Sequence, residues 1–324
     1  MTPIYGHDAA VSAFLDSHRS GRLHHAWLLS GAQGIGKALF ADKAALKVLA
    51  DAAGPQGLEA GLDVPDEHRI ARLVAAGSHP DLVRLERLTK DSGTELARSI
   101  SVDQVRGLQR LFANRPSLSP WRVVVIDAID DLERPAANAL LKNLEEPPAN
   151  CLFLLVSHAP ERLLPTIRSR CRQLRFSPLR ADAMAAALQA AMDDDEPGEI
   201  DALAQLGEGS PGRALAIRGL RIEALDEAMR ALVAAGDPTN ARRSRLAAEL
   251  APKSAQARYE AFLSRAPSFI AAEARGRTGP ALAEALAAWE RARDLAGSAV
   301  RLSLDPHSVV FQLGGILAGL ARRQ

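Results

Sequence analysis

At 324 residues, with 47% hydrophobic and 24% charged residues and a formal net charge of +1, the chain is long enough for two or three globular domains. So even a balance argues against a protein that wraps nucleic acid through its overall field. Two cysteines outside any C-x-x-C spacing, Cys151 and Cys171, exclude a disulfide framework and a four-thiolate zinc site, and fit a reducing cytoplasm.

The opening residues, MTPIYGHDAAVSAFLDSHRSGRL, have no apolar signal core, and no apolar run approaches the ~18 residues of a bilayer span, so a cytoplasmic protein is expected. Residues 9–19 read as a short helix. HHAWLLSG then reads as a buried strand that runs into a glycine-rich turn, and KALFADKAALKVLADAAG as a helix closed by Gly54. Residues 54–69 mix Gly, Pro and charge without periodicity and read as a loop. HPDLVRLERL is a second strand candidate, and SVDQVRGLQRLFANRP an amphipathic helix capped by Ser101 and ended before Pro116.

RVVVID, residues 122–127, is a β-branched apolar run ending in an acid, the profile of a strand buried on both faces. PAANALLKNLEEPP is a helix begun by Pro135 and stopped by Pro147 and Pro148, and CLFLLVS, residues 151–157, is another central strand. Alternating strands and helices to about residue 177 predict an α/β domain on a mostly parallel sheet. Beyond RFSPL the chain is helical, with a small cluster that ends at GEGSPG. Longer helices follow Gly219, one with Leu282, Leu286, Trp289, Ala292 and Ala296 on a single apolar stripe.

GAQGIGKA, residues 31–38, meets the phosphate-loop pattern G-x-x-x-x-G-K-[S/T] at Gly31, Gly36 and Lys37 and fails it at Ala38. In such loops backbone N–H groups at the helix N-terminus cradle phosphates and the Lys neutralises them. The Mg²⁺ is held by the hydroxyl that Ala38 lacks and by a strand-end acid, for which Asp127 is the candidate. His24, His25 and His158 have no partner Ser or Cys pattern and read as packing or hydrogen-bonding histidines.

GRLHHAWLLSGAQGIGK, VVVIDAIDDL, AANALLKNLEEPP, LFLLVSHAPERLLPTIRSRC and GSPGRAL, in this order, resemble the bacterial clamp-loader AAA+ subunits, most of all their delta-prime branch. The resemblance is dense over residues 4–216 and weak beyond 219. It implies a RecA-like AAA+ P-loop domain (1–177), a small helical lid (178–219) and a helical collar that joins five subunits (220–324). By position it places Gly31, Gly34, Gly36 and Lys37 in the nucleotide loop, Asp127 at the metal-binding acid, Ser157 at a polar sensor and Arg213 at a second sensor. Arg170, in Ser-Arg-Cys, is implied to be an arginine finger acting on a neighbouring subunit.

Active members follow the strand-end acid with a Glu that orients water; here it is Ala128. The two losses imply a stator that does not hydrolyse ATP, with ATP or ADP binding still open. The partners implied are the gamma/tau and delta subunits, the sliding clamp and primer-template DNA. The alternative, an ATP-hydrolysing gamma/tau-type subunit, would need Thr at 38 and Glu at 128. The family's four-cysteine zinc module has no counterpart in residues 51–80, so no metal is expected there.

Overall fold

The computed structural model describes residues 3–54, 61–89, 96–113, 115–192, 197–299 and 302–321. The chain forms two compact units, Met1–Leu215 and Ala216–Gln324. The first holds five strands, β1 (Ala26–Ser30), β2 (Leu82–Glu86), β3 (Arg122–Asp127), β4 (Cys151–Ser157) and β5 (Arg172–Arg175). They pair in the order β2-β3-β4-β1-β5, every pairing parallel. Parallel strands require helical crossovers, and these cover both faces. That is why β1 and β4 are buried along their whole length.

Helices α1 (Asp8–Arg19), α2 (Lys37–Ala52) and α3 (Arg69–Ala75) contribute to the core on one face, where Phe14, Trp27, Phe40 and Val125 meet. Helices α4 (Val102–Ala113), α5 (Arg134–Glu145) and α6 (Pro165–Arg168) contribute to the other, with Leu28, Val124, Leu140 and Phe153. The predicted cap of α4 is a reciprocal box. The Gln104 N–H donates to Ser101 Oγ at 3.4 Å, and the Ser101 N–H to Gln104 Oε1 at 3.0 Å. Helices α7 (Ala181–Ala191), α8 (Pro197–Gly207) and α9 (Pro211–Ile217) follow the sheet.

The second unit holds α10 (Ile222–Ala235), α11 (Ala241–Leu250), α12 (Gln256–Ala274), α13 (Gly279–Ala299) and α14 (Pro306–Ala318). The α/β-then-all-α order expected from the sequence is the observed one. Among the described residues no helix is long and apolar enough to cross a membrane.

Three expectations need correction. The second strand is shorter than HPDLVRLERL, because Leu82–Glu86 alone pairs with β3. β5 goes unpredicted, since an edge strand that buries only Leu174 among RQLR carries no apolar run. On α13 the buried face is Ala285, Ala288, Ala292 and Ala299, while Leu286 is 50% exposed. Alanine lets helix axes approach closely, so the packed face shares Ala292 with the predicted stripe but is turned from Leu286 towards the small residues. Of the predicted 54–69 loop, residues 55–60 lie outside the described residues.

Candidate nucleotide site

The loop, the strand-end acid and the Ser157 hydroxyl meet at the C-terminal edge of the sheet. Ser30 ends β1 opposite Ser157, and Asp127 ends β3 opposite Val156 and Glu86. Open α/β sheets take ligands outside these strand ends. After Ser30 the chain turns through Gly31, Gly34 and Gly36 and enters α2 at Lys37.

Gly34 has φ +77°, and a Cβ there would stand 2.6 Å from Ser210 Oγ and 2.9 Å from the Arg213 nitrogen. Only glycine allows this approach. The Gly212 N–H donates to the Gly34 carbonyl at 2.9 Å. Ser210 Oγ donates to the Gln33 carbonyl at 2.8 Å and accepts from the Arg213 N–H at 3.2 Å. The GSPGR segment therefore lies directly on the loop.

Lys37 is 2% exposed and folds back, Nζ donating to the carbonyls of Gly31 at 2.7 Å and Ala32 at 2.5 Å. Burial lowers its pKa to about 8 against the pull of Asp130 and Asp127. His7 packs against the loop, its Nε2 2.6 Å from the Ile35 carbonyl oxygen and its ring edge-on to Phe176.

Asp127 is engaged. Arg84, on β2, donates through Nη2 to Asp127 at 2.7 Å and through Nε to Glu86 at 2.9 Å, and also pairs with Asp42 of α2. Burial works against the guanidinium charge, yet Asp42, Glu86 and Asp127 outweigh it and hold its pKa above the ordinary value.

A Mg²⁺ ion does not fit these residues. Mg²⁺ wants oxygen ligands; Ala38 supplies a methyl group, and Asp127 is held by a cation. A phosphate group does fit. Arg213 pairs through Nη1 with Glu208 at 2.8 Å, while its buried Nη2 has no partner. Its backbone N–H lies at the loop, so Arg213 brings a cation on the segment that seats on the loop, beside Lys37. Ala128 is buried and brings no carboxylate. Among the described residues no three or more His, Cys, Asp or Glu gather into a metal site.

Ser157 does not face the loop freely, because its Oγ donates to Asp130 Oδ1 at 2.9 Å. Asp130 also accepts from the N–H groups of His158 at 2.6 Å and Ala159 at 3.2 Å. Sequence reasoning misses Asp130, whose one signal is the acid-rich DAIDD after β3. It equally misses Arg84, His7 and Ser210. His24 and His25 stack at 4.4 Å, and His25 Nε2 lies 3.1 Å from the Leu144 carbonyl oxygen, in keeping with a packing role. Burial, then Lys37, lowers the His158 pKa. Burial pushes the thiols of Cys151 and Cys171 up to about 12, so neither is a thiolate near neutral pH.

Arg170 is not part of this cluster. It follows α6, donates through Nη1 to the Thr166 carbonyl at 2.9 Å, and pairs through Nη2 with Glu145 at the end of α5 at 2.7 Å.

Residues 6–180 match the family model described as "DNA polymerase III, delta subunit". The chain is 38% identical over 199 residues to the DNA polymerase III subunit delta' of Pseudomonas aeruginosa, an alignment that covers 60% of this chain and 56% of that protein. It is 34% identical over 204 residues to the subunit delta' of Escherichia coli, covering 62% and 56%. The chain thus spans about half the length of the curated relatives it matches. A solved gamma-subunit-related protein of Thermotoga maritima aligns with 95% of this chain and 100% of its own at 15% identity and a TM-score of 0.43, too distant for anything to rest on it. The family model covers more than half of the chain, and the chain belongs to that clamp-loader family of DNA polymerase III subunits.

Proposed function

We propose that this chain is a delta-prime-type clamp-loader subunit, a stator that does not hydrolyse ATP and works in the cytoplasm. In this reading residues 1–177 are the AAA+ core, 178–219 the lid and 220–324 the collar of a hetero-pentamer with gamma/tau and delta subunits. Arg170 is offered to the γ-phosphate in the neighbouring ATPase, and the ring loads a sliding clamp on primer-template DNA. The loop, with Lys37, Asp127, Ser157 and Arg213, is a nucleotide site that has lost its chemistry and keeps its phosphate cradle.

One observation carries the reading. The metal-binding hydroxyl and the water-orienting carboxylate are both absent, at Ala38 and Ala128, while Arg170 stands outside the site, 34% exposed and ready to meet another chain. Phosphoryl transfer depends on positioning and charge neutralisation, so losing both groups disables one reaction. An arginine finger acts in trans and needs neither group in its own chain. The delta' names of the relatives support the same assignment.

The test is ATP turnover by a loader reconstituted with gamma/tau and delta subunits, clamp and primed DNA, comparing this chain with Arg170→Ala at equal ring assembly. A finger is worth ~10³-fold or more at the site it serves, so that site should fall silent while the ring's other sites continue. Unchanged turnover with the ring formed would refute the assignment of Arg170. ATP hydrolysis by the isolated chain that disappears in Lys37→Ala would refute the stator.

A further inference from the structure

We propose that Arg84 takes the place of the divalent cation at the nucleotide loop, so that Asp127 is closed to metal and the loop is a metal-independent site. The inference concerns the α/β unit alone and holds whether or not the chain joins a ring.

Three carboxylates from three elements converge on one guanidinium: Asp42 of α2, Glu86 of β2 and Asp127 of β3. Arginine suits this place because its planar fork presents several donors at once and stays protonated. β2 and β3 pair in register with Arg84 opposite Val125 and Glu86 opposite Asp127, so Arg84 lies one strand over from the acid and two residues short of the sheet's end. From there a long side chain reaches the carboxylate that a metal would otherwise use.

The surrounding charges agree. Burial raises the Asp42 pKa, Arg84 opposes the rise, and Asp127 and Glu86 add to it. Without the guanidinium the three acids would repel one another and favour any other cation. Ala38 agrees with this, since it offers no side-chain oxygen at the loop that could help hold a metal. The missing oxygen at 38 and the guanidinium at 84 act in the same direction, leaving Asp127 paired with a cation of the chain's own.

Mn²⁺ binding to the full chain in the presence of ATP, followed by the electron paramagnetic resonance of free Mn²⁺, tests the idea. Titrations of the wild type and of Asp127→Asn should superimpose, because the acid is already taken. Arg84→Ala should bind Mn²⁺ at least about tenfold more tightly than the wild type, because a positive charge no longer competes with the metal for the carboxylates. That gain should vanish in Arg84→Ala/Asp127→Asn, and Arg84→Lys, which keeps the charge, should stay like the wild type. Arg84→Gln takes the place of Arg84→Ala if circular dichroism shows the latter unfolded. The proposal is overturned if the wild type binds Mn²⁺ more tightly than Asp127→Asn, if removing the guanidinium brings no gain, or if the gain survives loss of Asp127.

Discussion

At the loop, Lys37 is 2% exposed and bonded to two carbonyls, and Asp127 is tied to Arg84; after α6, Arg170 is 34% exposed and its partner Glu145 46% exposed. Charges in a partly dry pocket interact strongly and exchange partners reluctantly, whereas an exposed pair is worth about 0–1 kcal/mol and gives way readily. The difference shows how a phosphate-loop site can keep its shape while its charges pair with one another. The interior charges have closed on one another, whereas Arg170 sits in an exposed pair that can give way.

That contrast is broken most directly by Arg170→Ala, for which the expected loss at the served site is ~10³-fold with the fold intact. Next in size is Gly34→Ala. A left-handed backbone and a Cβ 2.6 Å from Ser210 Oγ should together destabilise the α/β unit by about 1–3 kcal/mol, seen as a lower midpoint in chemical denaturation. Gly21→Ala is the control: φ is +67° there but nothing lies within 4 Å, so strain acts alone and the loss should be smaller. Equal losses would mean that the close seating of GSPGR on the loop adds nothing to stability.

Much of this was legible from residues alone where burial leaves a pattern. β1, β3 and β4 are apolar runs because helices cover both their faces, and Gly31, Gly34, Gly36, Lys37 and Asp127 are fixed by the strand–loop–helix spacing. What stayed hidden is pairing across long separations. Arg84 meets Asp42 and Asp127, forty-odd residues to either side, and Ser210 meets Gln33 across 177. No local periodicity encodes such contacts. On α13 the apolar stripe misled because size was weighed above shape, and the packed face chose alanine over Leu286.

A smaller effect sharpens the comparison at the loop. Lys37 has a pKa of about 8 in the fold against 10.5 outside it. Between these values the unfolded chain holds the extra proton, so stability relative to Lys37→Met should rise as pH climbs from about 8 towards 10.5. Below about 8 both states carry the charge and the difference should be level. Denaturant midpoints of the two proteins across this range check the sign, and groups they share cancel. A flat difference would mean that the loop carbonyls hold the lysine proton as firmly as water does, and the loop would then be no dry pocket.

Smallest of all should be the effect of Glu145→Gln. The pair with Arg170 is exposed at both ends, so removing one charge should cost at most about 1 kcal/mol of stability. In the reconstituted loader so weak a pair can bias the placement of Arg170 by no more than about fivefold, so turnover should change far less than in Arg170→Ala. The Thr166 carbonyl still accepts from Nη1 in that variant and keeps the arginine near its place. If Glu145→Gln lowered turnover as far as Arg170→Ala, the carboxylate would be fixing the arginine as tightly as Arg84 fixes Asp127. The edge would then be as closed as the loop, and the contrast between the two places would fail.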